Sequence, residues 1–566
     1  MNKKYAEIDP DEILLDSSNI PKYDSYQFEG RLEKPISKMA LVATGAFFAL
    51  IAVVFAIRAW NIQITNGEAY KNRSERNLLR PAPIFAGRGV IFDRNGVELA
   101  WNAPAEISTN ASAAASANIG DIVARRMYAT TTGMAHVLGY VRYPTKDNNG
   151  FYYREDFEGV DGAEKYFNEN LRGANGSRLV EVDAKGNIFS ENIVRSPEQG
   201  GNITLSIDSR AQSALYNNIK DVADSVGFAG GAGVIMDIST GEIIAITSYP
   251  EYSPQIISDR ADSSAIKKML NDSNLPFLDR AIDGLYTPGS IVKPYIALGV
   301  LNENIIDPSA IIVTNGSISL PNPYDSAKST VFRDWKNNGS LDLRRAIAMS
   351  SDAYFYIVGG GYKDQKGLGI AKIDQYLRMF GFGTAIPASF VSGKSGTIPT
   401  PEWKKSTFNE EWYVGNTYHT AIGQYGFQVT LVQIVRAMAA IANNGVMLVP
   451  TILKDSVLPI DRVIDIIPEK DYQIVREGMR LGVTEGTSKA LNVPYVTVAG
   501  KSGTAELGVS KEKVNSWMTG FFPYENPRYA FAVMLEKGSV RNMIGAARVM
   551  RKQLDWMNVN TPEYFK

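Results

Sequence analysis

No cysteine occurs in the 566 residues, and the only two histidines, His136 and His419, stand far apart in the chain. Disulfides and thiolate metal sites are thereby excluded, and with the two histidines so far apart in sequence neither a histidine triad nor a zinc centre is expected. Charge of one sign is missing too. The 59 Lys and Arg balance 60 Asp and Glu to a net of −1, so nothing points to nucleic acid. There is no P-loop, no dinucleotide fingerprint, no internal repeat and no low-complexity tract, and neither a cofactor nor a metal is expected. A serine hydrolase built from this chain needs lysine as its base.

One long apolar run is present. Residues 39–57 carry no charge and are rich in Ala, Val, Leu, Ile and Phe, long enough to cross a bilayer as a helix. A signal peptide's apolar core is shorter and lies nearer the N-terminus, so residues 38–58 read as an uncleaved transmembrane anchor and residues 1–37 as a short polar tail. Four Lys or Arg lie within about twenty residues on each side, so the positive-inside count sets no orientation.

Residues 286–294 read Tyr286-Thr287-Pro288-Gly289-Ser290-Ile291-Val292-Lys293-Pro294. A serine three residues before a lysine on a helix puts hydroxyl and amine on one face. The amine can then take the proton that makes the serine a nucleophile. Pro288-Gly289 marks a turn into that helix. Pro294 lacks an N–H and clashes with the carbonyl four residues back, so the helix must begin close to Ser290. There, free N–H groups and the positive dipole end favour a developing anion. Ser264-Ala265-Ile266-Lys267 and Ser510-Lys511-Glu512-Lys513 share the spacing without the framing, and read as solvated surface.

Two downstream elements complete a constellation. Ser350-Ser351-Asp352 lies between apolar flanks. It places a hydroxyl and a carbonyl-bearing side chain two apart, suited to a proton relay and a substrate acceptor, although Ser and Asp also favour helix caps and turns. Further on, alternating β-branched residues over 496–499 predict a strand leading into Lys501-Ser502-Gly503-Thr504. Gly503 lets a substrate backbone approach closely, and Lys501 with the hydroxyls of Ser502 and Thr504 suits a carboxylate. Lys394-Ser395-Gly396-Thr397 repeats those four residue types but sits in a Gly- and Pro-rich loop with no strand pattern before it. The site is therefore assigned to Lys501.

Serine-x-x-lysine, serine-x-Asp/Asn and lysine-Ser/Thr-Gly, in this order, are the set of penicillin-binding proteins and serine β-lactamases. The chain resembles class B penicillin-binding proteins, the D,D-transpeptidases that cross-link peptidoglycan. The likeness extends to Asp279-Arg280-Ala281-Ile282, Ala421-Ile422-Gly423-Gln424 with Val429-Thr430, Ala442-Asn443-Asn444-Gly445, and Trp517 through Pro523. Ser502 stands where the family more often has threonine, and Asp352 where it more often has asparagine. An aspartate at that position is similar to the cell-elongation branch, the penicillin-binding protein 2 type, rather than the division branch.

An α+β fold is expected. After the anchor, Asn95-Gly96 between short apolar runs predicts a hairpin. The resemblance makes residues 59–200, with Gly159 to Phe167, Leu171-Arg172-Gly173, Gly176 and Asp183, an elongated, β-rich, dimerisation-like pedestal. Arg88, Asp93 and Arg94 read as scaffold and partner contacts. Pro197-Glu198-Gln199-Gly200-Gly201 reads as a linker. From residue 201 to 566 come a strand over 202–207, a helix over 211–222, a hairpin around Ser239-Thr240-Gly241, a helical middle, strands over 517–521 and 529–535, and an amphipathic helix over 544–556. Strands early and late imply one antiparallel sheet built from both ends, with a helical subdomain. The family's transpeptidase domain has that layout, shared with serine β-lactamases.

The resemblance implies a mechanism. Ser290 attacks the D-Ala–D-Ala carbonyl of a stem peptide with Lys293 as general base, made neutral by nearby Lys501 and by burial. Ser350 carries a proton to the leaving amine, Asp352 and Gly503 meet the donor backbone, and Ser502 and Thr504 hold its carboxylate. The backbone N–H groups of Ser290 and Thr504 form the oxyanion hole, each donor worth roughly 3 kcal/mol. Implied partners are peptidoglycan stem peptides, β-lactams and a membrane glycosyltransferase of the SEDS (RodA-like) family. The implied place is the bacterial inner membrane, with the catalytic part outside the cytoplasm. A division-type enzyme, a silent penicillin-binding sensor or scaffold, and a β-lactamase-like hydrolase remain alternatives; the last needs a water-activating base for which no additional motif is evident. If Lys501 is the functional copy, penicillin acylation collapses in Lys501→Ala and barely changes in Lys394→Ala, measured by fluorescent labelling rates. The reverse ranking shows that the loop copy is the site.

Overall fold

The computed structural model describes residues 37–71, 79–104, 123–147, 152–182, 188–322, 325–386, 390–391, 393–456 and 460–566. The expected tail, apart from Ser37, and Asp183 lie outside the described residues. The chain forms two compact units, one of residues up to Pro81 with Leu179–Asn192, the other of Ala82–Arg178 with Ile193–Lys566.

The first unit carries α1 (Lys38–Trp60), extended by a π-turn over Asn61–Thr65. The Ser37 hydroxyl caps it by accepting from Ala40 N at 3.1 Å. None of its residues is buried, and it is the one helix among the described residues long and apolar enough to cross a membrane. Strand β1 (Leu79–Ile84) is hydrogen-bonded to a later strand, Gly176–Val182, which pairs in turn with Ile188–Arg195.

In the second unit, β2 (Ile91–Phe92) and β3 (Glu98–Ala103) form the hairpin that Asn95-Gly96 predicts, with Gly96 at φ 83°. Asp93 accepts the N–H groups of Asn95 and Val97 on one oxygen, and the Ser209 hydroxyl at 2.7 Å on the other. β4 (Arg125–Tyr128) extends this sheet. Beneath it, Glu164 is gripped by two guanidinium groups, Arg88 at 2.5 Å and Arg126 at 2.7 Å, all three side chains fully buried. Arg88 and Asp93 are therefore internal scaffold, not surface contacts. Arg94 reaches Glu242 at 3.4 Å.

Residues 197–201, expected as a linker, are packed instead. Ala174 and Glu198 exchange backbone hydrogen bonds, and Gly200 N donates to Gly87 O. A Cβ on Gly200 would lie 1.9 Å from Leu171 O, so glycine is required there for close approach rather than for looseness. The following strand is also shorter than its alternation predicts: β7, which follows the β5 (Gly176–Val182) and β6 (Ile188–Arg195) just described, spans Ile203–Thr204 and pairs in parallel with β2.

The remainder is a three-layer α+β body. α2 (Ser209–Val226) starts at Asp208, which accepts from Arg210 N, and stops at Gly227 in the left-handed region. The central sheet is antiparallel, made of β8 (Gly230–Asp237), β9 (Ile243–Tyr249), β10 (Ala499–Leu507), β11 (Lys513–Phe522) and β12 (Tyr529–Ser539), in the order β9-β8-β12-β11-β10. Both ends of the sequence build it, as expected. β8 is buried on both faces, which explains its unbroken apolar run. Ile235 joins Leu215, Ile219, Phe531 and Leu554 on the side of α2 and the C-terminal helix Ala546–Asn560; Val234 joins Ala532, Ile434 and Met438 on the other. That second core runs without interruption into Ile91, Leu99, Tyr128, Met134 and Leu171. Removing the Glu164 carboxylate leaves two buried cations unpaired, so Glu164→Gln should destabilise the protein by about 3–5 kcal/mol. Urea unfolding checks this, and a shift under about 1 kcal/mol would show that the buried triad is not structural.

Candidate active site

A bridge between Tyr286 and Val429 fixes the chain just before the nucleophile motif. Gly289 follows at φ 59° and donates its N–H to Gly423 O at 2.9 Å. A Cβ on Gly423 would meet Gly289 O at 2.2 Å, so two glycines let the two turns touch here. Gly289–Val292 is one 3₁₀ turn, after which α3 (Lys293–Asn302) begins with Pro294 in its first turn. The proline argument thus holds: Ser290 sits at the helix start, half-buried, one turn from Lys293, which is fully buried. Among the described residues the Ser290 hydroxyl has no hydrogen-bond partner.

Lys293 is held from the second motif. Its Nζ donates to Asp352 Oδ1 at 2.6 Å, to Ser350 O at 2.7 Å and to Ser350 Oγ at 3.4 Å. These acceptors converge because α4 (Leu343–Met349) ends at Ser350 in the left-handed region, φ 56°, and α5 (Asp352–Gly360) starts two residues later, capped by the Ser351 hydroxyl on Tyr354 N. The cap and the site are the same three residues. Nothing in the sequence points to Asp334, which organises the break. Its Oδ2 accepts from Ser351 Oγ at 2.6 Å and Ala353 N at 3.2 Å, and its Oδ1 from Asp352 N at 3.0 Å.

The third motif lies on β10. The alternation over 496–499 predicts a strand there; the strand starts instead at Ala499 and includes the motif itself. Among the described residues β10 is the edge of the sheet, paired only with β11, with Lys501 opposite Thr519 and Thr504 opposite Ser516. Lys501 Nζ donates to Ser350 Oγ and to Ser502 O, both at 2.7 Å, so the Ser350 hydroxyl sits between two amines. Burial, and then the Lys293 charge, push Lys501 well below the ordinary lysine range, with Asp352 opposing. The nucleophile turn packs on this strand: a Cβ on Gly503 would lie 3.2 Å from Pro288 O, and one on Gly289 3.2 Å from Thr504 O. Trp517 of β11 ties the same turn down, its indole N–H donating to Thr287 O at 3.0 Å. Ser502 Oγ is hydrogen-bonded to Thr487 Oγ1 at 2.7 Å, a partner that the sequence did not reveal.

Lys394-Ser395-Gly396-Thr397 has other work. Thr397 exchanges backbone hydrogen bonds with Gln428, and the Gln433 amide donates to Ser395 O at 2.7 Å. Ser392, just before it, lies outside the described residues. Of the histidines, His419 is stacked on Tyr425, and burial followed by the Lys511 charge lowers its pKa. No group of three or more His, Asp or Glu among the described residues is arranged for a metal ion.

Two family profiles match the chain: the penicillin-binding protein transpeptidase domain over residues 231–554, and the penicillin-binding protein dimerisation domain over residues 105–205. The peptidoglycan D,D-transpeptidase MrdA of Escherichia coli K12 is 28% identical, over 92% of this chain and 93% of its own. A crystal structure of Pseudomonas aeruginosa PBP2 in complex with WCK 5153 is 28% identical, with a TM-score of 0.68 over 86% of this chain and 98% of that one. A structure titled for the coordination of polymerization and crosslinking by a peptidoglycan synthase complex is 26% identical, with a TM-score of 0.68 over 92% and 97%. If Asp334 positions Ser350 and Asp352, Asp334→Ala should slow penicillin acylation on the order of 100-fold, with Asp334→Asn restoring part of the rate. Equal rates in both variants and the parent, at matched melting temperature, would remove Asp334 from the site.

Proposed function

The chain belongs to the penicillin-binding protein transpeptidase family, and on that premise we propose that it is an elongation-type peptidoglycan D,D-transpeptidase acting through a Ser290 acyl-enzyme. The carrying observation is the Ser350 hydroxyl, held between Lys501 at 2.7 Å and Lys293 at 3.4 Å, one helix turn from Ser290. The names of the relatives favour the elongation branch, as does Asp352 in the second motif.

In this reading Lys293, 2.6 Å from Asp352, takes the Ser290 proton on its amine as Oγ bonds to the carbonyl carbon of the penultimate D-Ala. The oxyanion is met by the backbone N–H groups of Ser290 and Thr504. When the C–N bond breaks, Ser350 gives its proton to the leaving D-Ala nitrogen and is reloaded from Lys293. An acceptor amine then attacks the ester, its proton returns along the same path, and Ser290 is released as the cross-link forms. Thr504 and Ser502 on β10 bind the donor carboxylate, and the exposed edge of that strand lies along its backbone.

Lys501 gives this binding step a pH signature. The free site disfavours its ammonium form, whereas an arriving carboxylate favours it. The complex therefore has the higher lysine pKa, so binding takes up a proton and weakens as pH rises between the two values, by up to about tenfold per unit. Calorimetric titration of Ser290→Ala with a stem pentapeptide, in buffers of different ionisation enthalpy, should show proton uptake. Proton release, or none, would mean that Lys501 does not hold the carboxylate. Ser290→Ala should also lose all covalent penicillin labelling; label retained at another residue would disprove the assignment of the nucleophile.

The exposed apolar helix α1 anchors the protein in the inner membrane with the catalytic part outside the cytoplasm, where its substrate lies. The same helix and the pedestal meet a SEDS-family (RodA-like) polymerase. Replacing residues 38–65 with an unrelated transmembrane helix should abolish co-purification with the polymerase and leave acylation unchanged. Undiminished association would exclude α1 from the contact.

A further inference from the structure

Outside the catalytic cleft, a cavity of about 540 Å³ is lined by His136, Asp161, Lys165, Tyr166 and Phe277, and by the acidic turn from Asp279 to Asp283, with Phe390 at its rim. His136 is only 6% exposed, and among the described residues its buried Nε2 has no hydrogen-bond partner. The hydrogen bond of that ring goes to the Pro276 backbone, so Nδ1 is the donor and Nε2 presents a free lone pair. Burial pushes the imidazole down to about 4, which keeps it a neutral acceptor at physiological pH.

The other polar groups of the cavity are almost all acceptors as well. Asp161 is fixed by the Tyr252 hydroxyl at 3.0 Å. Asp279 accepts from Ala281 N and Ile282 N, and burial, opposed by those bonds, pushes its carboxyl up to about 7. Asp283 is exposed, and Lys165 is the one cation in the lining among the described residues. Phe277, stacked on Tyr252 at 4.9 Å, Ile282, Tyr166 and Phe390 supply apolar and aromatic wall. A volume of this size is typical of ligand pockets. A metal ion is disfavoured, since no metal-holding group of three occurs among the described residues.

We propose that this cavity binds an organic cation, a guanidinium or primary ammonium on a short aliphatic stem, with the charged head donating to His136 Nε2 and the Asp161 and Asp279 carboxyls and the stem against the aromatic wall. Three carboxyls and a free lone pair call for a ligand rich in N–H donors, and aromatic faces favour a cation over a neutral amide. The group is either a free small cation or the Arg or Lys side chain of a partner protein.

The test is calorimetric titration of the full-length, detergent-solubilised protein with agmatine, with the neutral N-butylurea, and with the peptide Gly-Gly-Arg-Gly-Gly-amide. Agmatine or the peptide should bind, N-butylurea should not, and the tighter of the first two names the source. Asp283→Asn should weaken binding about two- to fivefold, and His136→Phe about tenfold or more. Both variants should acylate with penicillin at the parent rate, which certifies their fold. If His136→Phe fails that control, Asp283→Asn and the neutral analogue decide. Absence of binding, equal binding of N-butylurea, or unchanged affinity in a folded variant means that the cavity holds only water and overturns the proposal.

Discussion

A fully buried lysine head has to be met by hydrogen-bond partners, and the catalytic region is built around meeting that demand at Lys293. Asp352, Ser350 O and Ser350 Oγ all lie within hydrogen-bond reach of its Nζ. None of them would be there without the break between α4 and α5, which turns a carbonyl, a hydroxyl and a carboxylate toward one point. Asp334 holds that break from outside, and β10 closes it with a second lysine. Two like charges so near one hydroxyl cannot both be comfortable. Burial and its neighbour together discourage Lys501 from carrying a proton.

The surrounding fold fixes these groups by close backbone contact. Gly289 against Gly423, Gly503 against Pro288, and the Trp517 indole on Thr287 bind the nucleophile turn to sheet and loop alike. The same economy appears at the base of the body, where Gly200 is pressed on Leu171 and one apolar core extends from Ile91 to Met534. Residues 82–104 and 125–138 belong physically to the catalytic body, sharing its interior.

The grouping of these side chains was legible because its parts are local. Ser290 and Lys293 are three apart, and Pro294 dictates where their helix starts. The sheet's twin origin could be read from apolar runs at both ends of the domain. Asp334 was not legible, because its value comes from standing opposite Ser351, seventeen residues on, and no spacing rule joins them. The start of β10 was misplaced since Gly, Lys and Ser are poor strand formers; pairing with β11 overrides that preference. The Pro- and Gly-rich run at 197–201 looked loose because glycine serves both flexibility and tight approach, and sequence does not separate the two.

β10 ends the sheet, and an edge strand is a row of backbone groups awaiting a neighbour. Proteins ordinarily blunt such edges to avoid sticking to one another. Here the edge runs beside Ser290, and in the proposed function a hazard of folding serves as the docking rail of the reaction. On the proposed function the catalytic body is in this sense an unfinished sheet, to be completed for a moment by each stem peptide and then vacated. A rigid molecule that fits the rail and reacts, but cannot be displaced by an amine, leaves the sheet closed.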